Sequence, residues 1–445
     1  MKRIKIYQKS IIGLFLLGAV LLILLMMIRV AASETKEANE DIIVEDIRVQ
    51  LLSPSIVRIE LKTSEGFENR NTLRIVDRSF FTGVSYVQKT GLNSVEITTD
   101  DIKIIIPKQT KSLEGIKIFD IRTQQAKEIW AFDTLPSNQQ FLPTPYEKPD
   151  VFAVSDTPRI IVPEHGYSDV DSTDPYNGYQ IDDKAQDVYV FIPFGDARKL
   201  RQDYVDLFGK TEMLQLKTFG SWDSRYYAYS QESAMQQILD YTTHNFPLDN
   251  MVIDTDWRKS TGAGGIGYDI DKDLFPDMTA FLTWAHEQNI SIMFNDHPEP
   301  VNNQTHLLDP EEVKYREEKL TDLLKMGLDA WWYDRNWHTA LISPTEAIAK
   351  ETWGMYLFYQ ITQKYYQSLT DDQSYALRTY IMGNADDIEH GKYKSPGDLI
   401  SHRYGMQWTG DIHASSQSLA AEIENVIRSG SEAIFPYLSA DIGGH

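Results

Sequence analysis

The sequence predicts an α/β fold, a (β/α)8 TIM-type barrel preceded by an antiparallel β-sandwich domain. From about residue 213, short apolar runs alternate with amphipathic helical stretches, which is typical of parallel strands joined by helices. Before that, residues 42–133 alternate Val- and Ile-rich runs with turns, as in antiparallel sheets. The 445 residues are enough for two domains, one of them a barrel.

The N-terminal domain is predicted to span residues 34–212. Residues 56–61 and 102–106 are its clearest strands, because Val and Ile recur there with strand periodicity. A proline-rich connection follows, and residues 187–193 then form a further predicted strand.

The barrel domain is predicted to span residues 213–445. Helices are expected to begin at Ser230, at Asp309-Pro310 and at Ser343-Pro344, where capping residues precede helical periodicity. Because only seven strands are recognised, we expect the barrel to be C-terminally incomplete, truncated after about strand seven. The predicted strands are 216–222, 250–256, 290–296, 328–334, 375–382, 405–411 and 432–441.

Residues 1–33 are predicted to be a signal peptide or a membrane anchor. Basic residues precede an apolar run at residues 11–28, and small residues follow it. The run is long for a signal peptide and borders on a membrane span, so both alternatives stay open. In either case we expect the body to be extracellular, secreted or anchored to the outer face of the cell membrane.

Composition excludes several classes of protein. The net charge of -22 argues against nucleic acid as a partner, and the absence of cysteine rules out disulfides, thiol catalysis and Cys-based zinc sites. Residues 262–267 satisfy G-x-G-x-x-G, but no helix is predicted to begin there to bind a pyrophosphate. We expect no cofactor and no metal site, and the oligomeric state is left open.

Acidic residues stand at the ends of four predicted barrel strands. They are Asp254, Asp296, Asp334 and Asp411, with Trp or Tyr residues beside several of them. In TIM barrels the groups that act on substrate lie at the carboxyl ends of the strands. Cleavage of a glycosidic bond needs one carboxylate at the anomeric carbon and one acid at the leaving oxygen. The pattern therefore predicts a carbohydrate-cleaving site, with Asp334 and Asp411 as the catalytic pair.

Residues 213–445 resemble the catalytic barrel of glycoside hydrolase family 31, and residues 42–205 fit the β-sandwich that precedes it in that family. The order and spacing of several short motifs carry the resemblance. They are Pro247-Leu248-Asp249, Ile253-Asp254-Thr255-Asp256-Trp257, Phe275-Pro276-Asp277-Met278, Trp332-Tyr333-Asp334, Arg403-Tyr404, Trp408-Thr409-Gly410-Asp411 and Ser439-Ala440-Asp441-Ile442-Gly443-Gly444.

The resemblance implies a retaining exo-α-glycosidase that acts on an oligosaccharide or glycoside. It implies that Asp334 is the nucleophile, Asp411 the acid/base and Asp254 an acid that binds sugar hydroxyls. The same resemblance implies further substrate-binding residues, namely Tyr226, Trp257, Asp296, Trp332, Asn384, Arg403 and Trp408.

Two departures from the family pattern leave alternatives open. Residues 335–337, after the nucleophile, are Arg-Asn-Trp, and Asn384 replaces an arginine that helps to bind the sugar. The glycone is therefore open among glucose, galactose, xylose and N-acetylhexosamine types. Transfer of the sugar to another sugar, or carbohydrate binding without catalysis at a surface protein, are the alternative functions.

Overall fold

The computed structural model describes residues 33–36, 38, 40–162, 180–259, 267–298, 310–334, 345, 348–369, 377–383, 388–389, 392–393, 398 and 400–444. The predicted apolar run at residues 11–28 and Asn384 lie outside these residues, as does most of the glycine-rich 262–267 segment. Within the described ranges, no helix combines the length and the apolar character needed to cross a membrane.

Two antiparallel sheets form the N-terminal part. Its strands in chain order are β1 (Ser33–Lys36), β2 (Ile42–Val44), β3 (Ile47–Ser53), β4 (Ile56–Leu61), β5 (Tyr86–Thr90), β6 (Ser94–Thr98), β7 (Ile102–Pro107), β8 (Lys117–Asp120), β9 (Lys127–Ala131), β10 (Phe152–Ser155), β11 (Arg159–Ile161), β12 (Gln180–Asp182) and β13 (Gln186–Phe191). One sheet has the order β1-β5-β6-β7-β8-β9, the other β10-β13-β4-β3-β2, and β11 pairs with β12.

The two larger sheets enclose one apolar core. Ile59 and Val190 from one sheet and Ile97 and Ile104 from the other are fully buried in the same cluster. Alternate residues of β7 are buried, as expected for a strand with one face on a core. The predicted sandwich is therefore confirmed.

The C-terminal part holds a parallel sheet. The strands of this part are β14 (Trp222–Asp223), β15 (Asn250–Ile253), β16 (Ser291–Asp296), β17 (Ala330–Tyr333), β18 (Ile381–Gly383), β19 (Ile388–Glu389), β20 (Lys392–Tyr393), β21 (Met406–Trp408) and β22 (Leu438–Ser439). Strands β19 and β20 form a separate antiparallel hairpin, and the other seven form the parallel sheet. The sheet order is β14-β15-β16-β17-β18-β21-β22, so sequential strands are neighbours. Each of the seven predicted strands has a counterpart, although Leu216–Phe219 is a 3-10 helix and the first strand is only Trp222–Asp223.

Helices lie between most of the strands, and the two that begin at Gln231 and Pro310 start where the capping signals predict. The helices are α1 (Ala197–Phe208), α2 (Gln231–Thr243), α3 (Met278–Glu287), α4 (Pro310–Met326), α5 (Lys350–Ser368) and α6 (Ser416–Glu432). Ser230 forms the expected capping box with Ser233, and Gly327 ends α4 with a φ of 113°. The predicted helix start at Ser343 lies outside the described residues, and the helix described in that region begins at Lys350.

The parallel sheet curls around an interior of its own. Val252, Met293 and Ala330, from three neighbouring strands, share one buried cluster, which also contains Trp332 and Trp408. The ring of Trp222 on the first strand lies 5.6 Å from that of Tyr380, next to the fifth strand, so side chains meet across the interior. The fold class is therefore confirmed as a TIM-type barrel arrangement, with seven parallel strands among the residues described.

Candidate active site

The side chain of Asp334 is held at the carboxyl end of β17 by the neighbouring strand β16. Its backbone N–H donates to the carbonyl of Asp296 at 3.0 Å. Its Oδ2 accepts from Asn295 Nδ2 at 3.1 Å and lies 3.1 Å from His297 Nε2. The side chain of Asp334 stays 14% exposed. This carboxylate is therefore fixed in direction and still reachable from the barrel mouth.

His297 presents a second hydrogen-bond donor to this carboxylate. Burial lowers the pKa of the imidazole, but the hydrogen bond to Asp334 and the negative charges of Asp334, Asp296 and Asp254 outweigh burial and raise it. Because an ionised carboxylate only accepts hydrogen bonds, Nε2 must carry the proton that faces Asp334. A partly buried imidazole with a raised pKa therefore lies beside the predicted nucleophile.

Asp254 is a buried carboxyl group at the end of β15. Burial and, to a smaller extent, the charge of Asp334 raise its pKa to about 6, while the backbone N–H of Thr255 and the charge of His297 oppose the rise. The Thr255 N–H donates to Asp254 Oδ1 at 2.7 Å. Perturbed carboxyl groups of this kind cluster at functional sites.

Two tryptophans form an aromatic wall inside the sheet. The rings of Trp332 and Trp408 meet edge to face, with centroids 4.8 Å apart. Trp408 Nε1 donates to Asp441 Oδ1 at 2.9 Å, which ties the sixth strand to the residues after the seventh. Apolar ring faces of this kind can pack against the C–H groups of a sugar.

Asp411 and Tyr226 follow their strands at the same edge of the sheet. Asp411 comes three residues after β21 and is partly buried, and Gly410 before it takes a φ of 78°, which only glycine adopts readily. Tyr226 comes three residues after β14 and is 69% exposed. Because the strands are parallel, both residues lie at the end of the barrel that carries Asp334.

The expectation that Trp257 and Asp296 line the pocket is wrong. Trp257 is fully buried, stacks on Phe294 with centroids 4.8 Å apart, and donates from Nε1 to the carbonyl of Asn295 at 2.8 Å. Asp296 is also fully buried, and its carboxylate accepts from Arg258 Nη1 and Tyr268 Oη, each at 2.6 Å. For Asp296 the reason is strand alternation, which turns Phe294 and Asp296 away from the barrel interior, and Trp257 packs on that outer face against Phe294.

The expectation for Arg403 is wrong as well. Arg403 precedes β21, so it lies at the amino end of the strand, opposite the end that carries Asp411. Its Nη2 donates to the carbonyl of Leu73 in the N-terminal domain at 2.6 Å, and to Tyr404 Oη at 2.7 Å. A Cβ at Gly209 would lie 2.6 Å from Arg403 Cδ, so this contact requires glycine. Arg403 joins the sandwich to the barrel.

Sequence reasoning missed the roles of Asn295 and His297. The signal was present, because alternation along β16 points residues 293, 295 and 297 to the same side. The register pairs Met293 with Ala330 and Asn295 with Trp332, so His297 comes opposite Asp334. Asn384, the remaining predicted pocket residue, lies outside the described residues.

The arrangement is that of a barrel enzyme with carboxylates and aromatic side chains at the strand ends, and comparison with known families agrees. The glycosyl hydrolases family 31 TIM-barrel domain matches residues 211–306 and 302–445. These matches cover more than half of the chain, and the chain belongs to glycosyl hydrolase family 31.

Solved structures, among them two enzymes of that family, share the fold. A dextranase from Flavobacterium johnsoniae complexed with glucose matches with a TM-score of 0.57 and 14% identity, covering 93% of this chain and 60% of that one. An α-xylosidase from Xanthomonas citri gives a TM-score of 0.59 and 12% identity over 92% and 68%. A cycloalternan-forming enzyme from Listeria monocytogenes, in complex with a pentasaccharide substrate, gives 0.52 and 12% over 93% and 49%. The chain thus spans about 60% of the dextranase's length, and at these identities the likeness concerns the fold.

Proposed function

We propose that the protein is a retaining exo-α-glycosidase, with Asp334 as nucleophile and Asp411 as acid/base. The observation that carries the proposal is the Asp334 carboxylate, held by Asn295 and His297 yet partly exposed at the carboxyl end of its strand. Membership of glycosyl hydrolase family 31 supports the reaction class.

The proposed reaction has two steps. An oxygen of Asp334 bonds to the anomeric carbon while the bond from that carbon to the leaving oxygen breaks, and Asp411 gives its proton to the leaving oxygen. Asp411 then takes a proton from water, the water oxygen bonds to the anomeric carbon, and the Asp334 carboxylate is released. Double displacement returns the sugar with its original anomeric configuration.

Asp254 and the aromatic wall would bind the sugar in this proposal. With a pKa of about 6, Asp254 is mostly ionised at neutral pH and can accept hydrogen bonds from hydroxyl groups. Trp332 and Trp408 would offer an apolar surface to the ring of the same sugar. The names of the similar structures, a dextranase and an α-xylosidase, support an α-linked saccharide as substrate.

Aryl α-glycosides of glucose, galactose, xylose and N-acetylgalactosamine test the proposal on the full-length protein. We expect release from at least one of them, and a loss of several orders of magnitude in turnover for Asp334→Asn, because the substituted amide cannot form the covalent intermediate. Asp329→Asn, at the other end of the same strand, is the matched control and should retain activity. Normal turnover by Asp334→Asn would exclude this residue as the nucleophile.

Azide and sugar acceptors separate the mechanisms. Asp334→Gly should regain turnover with azide, since the small anion can attack in place of the missing carboxylate, and no rescue would argue against the covalent route. Transfer to an added sugar in preference to water would favour a transglycosylase, a reading that the cycloalternan-forming enzyme among the similar structures supports. Sugar binding with no turnover at all would favour the binding-protein alternative.

We also propose an extracellular location, on the basis of the basic and apolar residues at positions 1–33. Fractionation of producing cells distinguishes release into the medium from retention in the membrane fraction. Recovery in the cytoplasmic fraction alone would contradict both.

A further inference from the structure

Both donors that β16 presents to Asp334 end on the same oxygen. Asn295 Nδ2 and His297 Nε2 each lie 3.1 Å from Asp334 Oδ2. A carboxylate has about four lone-pair positions, two on each oxygen, so two donors occupy those of Oδ2. Both donors that the described residues supply are on Oδ2, so Oδ1 is the oxygen whose lone pairs can bond to the anomeric carbon of the sugar.

The end of β16 is fixed both within the sheet and from its outer face. Within the sheet, the carbonyl of Asp296 accepts from the backbone N–H of Asp334 at 3.0 Å. On the outer side, the carboxylate of Asp296 is bound by Arg258 and Tyr268 at 2.6 Å each. Asn295 and His297 flank Asp296 in the chain, so this ion pair limits the movement of both donors.

We propose that Asn295 and His297 position the catalytic carboxylate through Oδ2, so that Oδ1 is the atom that bonds to the sugar. This inference rests on the proposed function of Asp334. In the first step the Oδ1–carbon bond forms as the bond to the leaving oxygen breaks. In the resulting ester, Oδ2 is the carbonyl oxygen and keeps both hydrogen bonds. When water attacks, the Oδ1–carbon bond breaks and its electron pair returns to the carboxylate.

The two donors affect the two steps in opposite directions. The hydrogen bonds that Asn295 and His297 donate to Oδ2 stabilise the free carboxylate, which makes it a weaker nucleophile. The same stabilisation makes it a better leaving group, because negative charge develops on it as the ester breaks. Removal of His297 should therefore slow breakdown of the glycosyl-enzyme. In its formation, the gain in nucleophilicity should partly offset the loss of positioning, so that step should slow less.

Steady-state kinetics of His297→Ala and His297→Gln test this prediction. For His297→Ala we expect kcat to fall about 10²-fold, with a smaller fall in kcat/KM, a lower KM, and glycosyl-enzyme visible by mass spectrometry of quenched reactions. His297→Gln keeps a neutral donor and should recover part of kcat. His286→Ala, which removes a histidine paired with Asp329 at the other end of β17, is the control and should leave kcat unchanged.

Two outcomes would overturn the inference while the proposed function stands. One is an unchanged kcat in His297→Ala. The other is an equal fall in kcat and kcat/KM with no accumulated glycosyl-enzyme, which would indicate a purely structural role. Absence of turnover by the wild-type protein would instead overturn the proposed function. The inference that Oδ1 of Asp334 bonds to the sugar would then fail with it.

An NMR titration tests the contact independently of activity. The negative charges of Asp334, Asp254 and Asp296 all act on the His297 imidazole, and Asp334 is the one that accepts its hydrogen bond. We expect the pKa of the His297 imidazole to fall in Asp334→Asn, because the amide replaces a negative acceptor. The pKa of His286 should be unchanged in the same variant, and an unchanged pKa for His297 would overturn the proposed contact.

Discussion

The strand β17 has a histidine–aspartate pair beyond each end, and the two pairs have different surroundings. At the amino end, His286 Nε2 lies 2.9 Å from Asp329 Oδ2, with side chains 41% and 30% exposed. At the carboxyl end, His297 Nε2 lies 3.1 Å from Asp334 Oδ2, with side chains 11% and 14% exposed. Similar contacts therefore occur in a solvated setting at one end and a mostly buried one at the other.

The partners around each aspartate explain the difference in role. Asp329 also accepts from the backbone N–H of Ile292 at 2.8 Å, so this pair ties α3 and β17 to β16. Asp334 instead has Asp254 near it, a buried carboxyl whose pKa is raised. Concentrating carboxylates in a partly buried space costs stability, and such arrangements are typical of functional sites. The comparison teaches that the surroundings, more than the pair itself, distinguish a site from a structural contact.

The largest effect on stability is expected at Asp296, behind the carboxyl-end pair. Asp296→Ala leaves the guanidinium of Arg258 buried without its carboxylate partner, which costs about 3–5 kcal/mol of unfolding free energy. Urea unfolding measures the loss. Asp329→Ala, at the solvated end, should cost only about 1 kcal/mol. Equal losses would show that the two ends do not differ as described.

Where Asp296→Ala fails to fold, Tyr268→Phe is the milder variant. It removes the hydrogen bond that Tyr268 Oη donates to Asp296 and the one that it accepts from Arg316 Nη1, and it keeps the ion pair between Asp296 and Arg258. A loss of about 1–2 kcal/mol is expected by the same measurement. A neutral result would indicate that Arg258 alone holds the carboxylate.

A gain in stability is expected at Asp254. A buried carboxyl whose folded pKa lies above its unfolded value disfavours the folded state once it is ionised, so stability falls as pH rises to about 6 and stays lower above it. Asp254→Asn removes the charge and keeps an acceptor for the Thr255 N–H. We expect it to stabilise the fold by about 1–3 kcal/mol at pH 8 and by little at pH 4, while lowering activity.

Asp256→Asn, two residues along the same turn and less buried, is the control for this effect. Its pKa is also raised, by burial and by the charge of Asp271, but its side chain is less buried than that of Asp254. The gain at pH 8 should therefore be the smaller of the two. A larger gain in stability for Asp256→Asn than for Asp254→Asn would contradict the conclusion that the buried charge of Asp254 is what destabilises the fold.

Local signals in the sequence predicted much of this structure. Capping residues such as Ser230 and strand-end acids such as Asp334 are encoded within a few residues, so their positions could be predicted. The side to which a strand residue points depends on alternation and on register with the next strand, which local sequence does not show, and Asp296 is the example. Trp257 lies in a 3-10 helix after β15, and its burial against Phe294 depends on the packing of the neighbouring strand. The position of the Arg403 side chain depends on its contact with Leu73, which lies 330 residues away in the chain, and no local pattern reveals such a contact.

The smallest effect is expected at the solvated pair. The hydrogen bond and charge of Asp329 raise the pKa of His286. Because the folded pKa lies above the unfolded one, the pair's contribution is fully present below the unfolded pKa and is lost as pH rises through the folded pKa. His286→Gln should therefore cost about 0.2–1 kcal/mol near pH 5 and less near pH 9, with the cost at pH 5 reduced by salt. Thermal unfolding across this range measures it, beside His297→Gln. If the cost for His297→Gln were as sensitive to salt as that for His286→Gln, the pair at the carboxyl end would be as solvated as its counterpart, and the contrast between the two ends of β17 would fail.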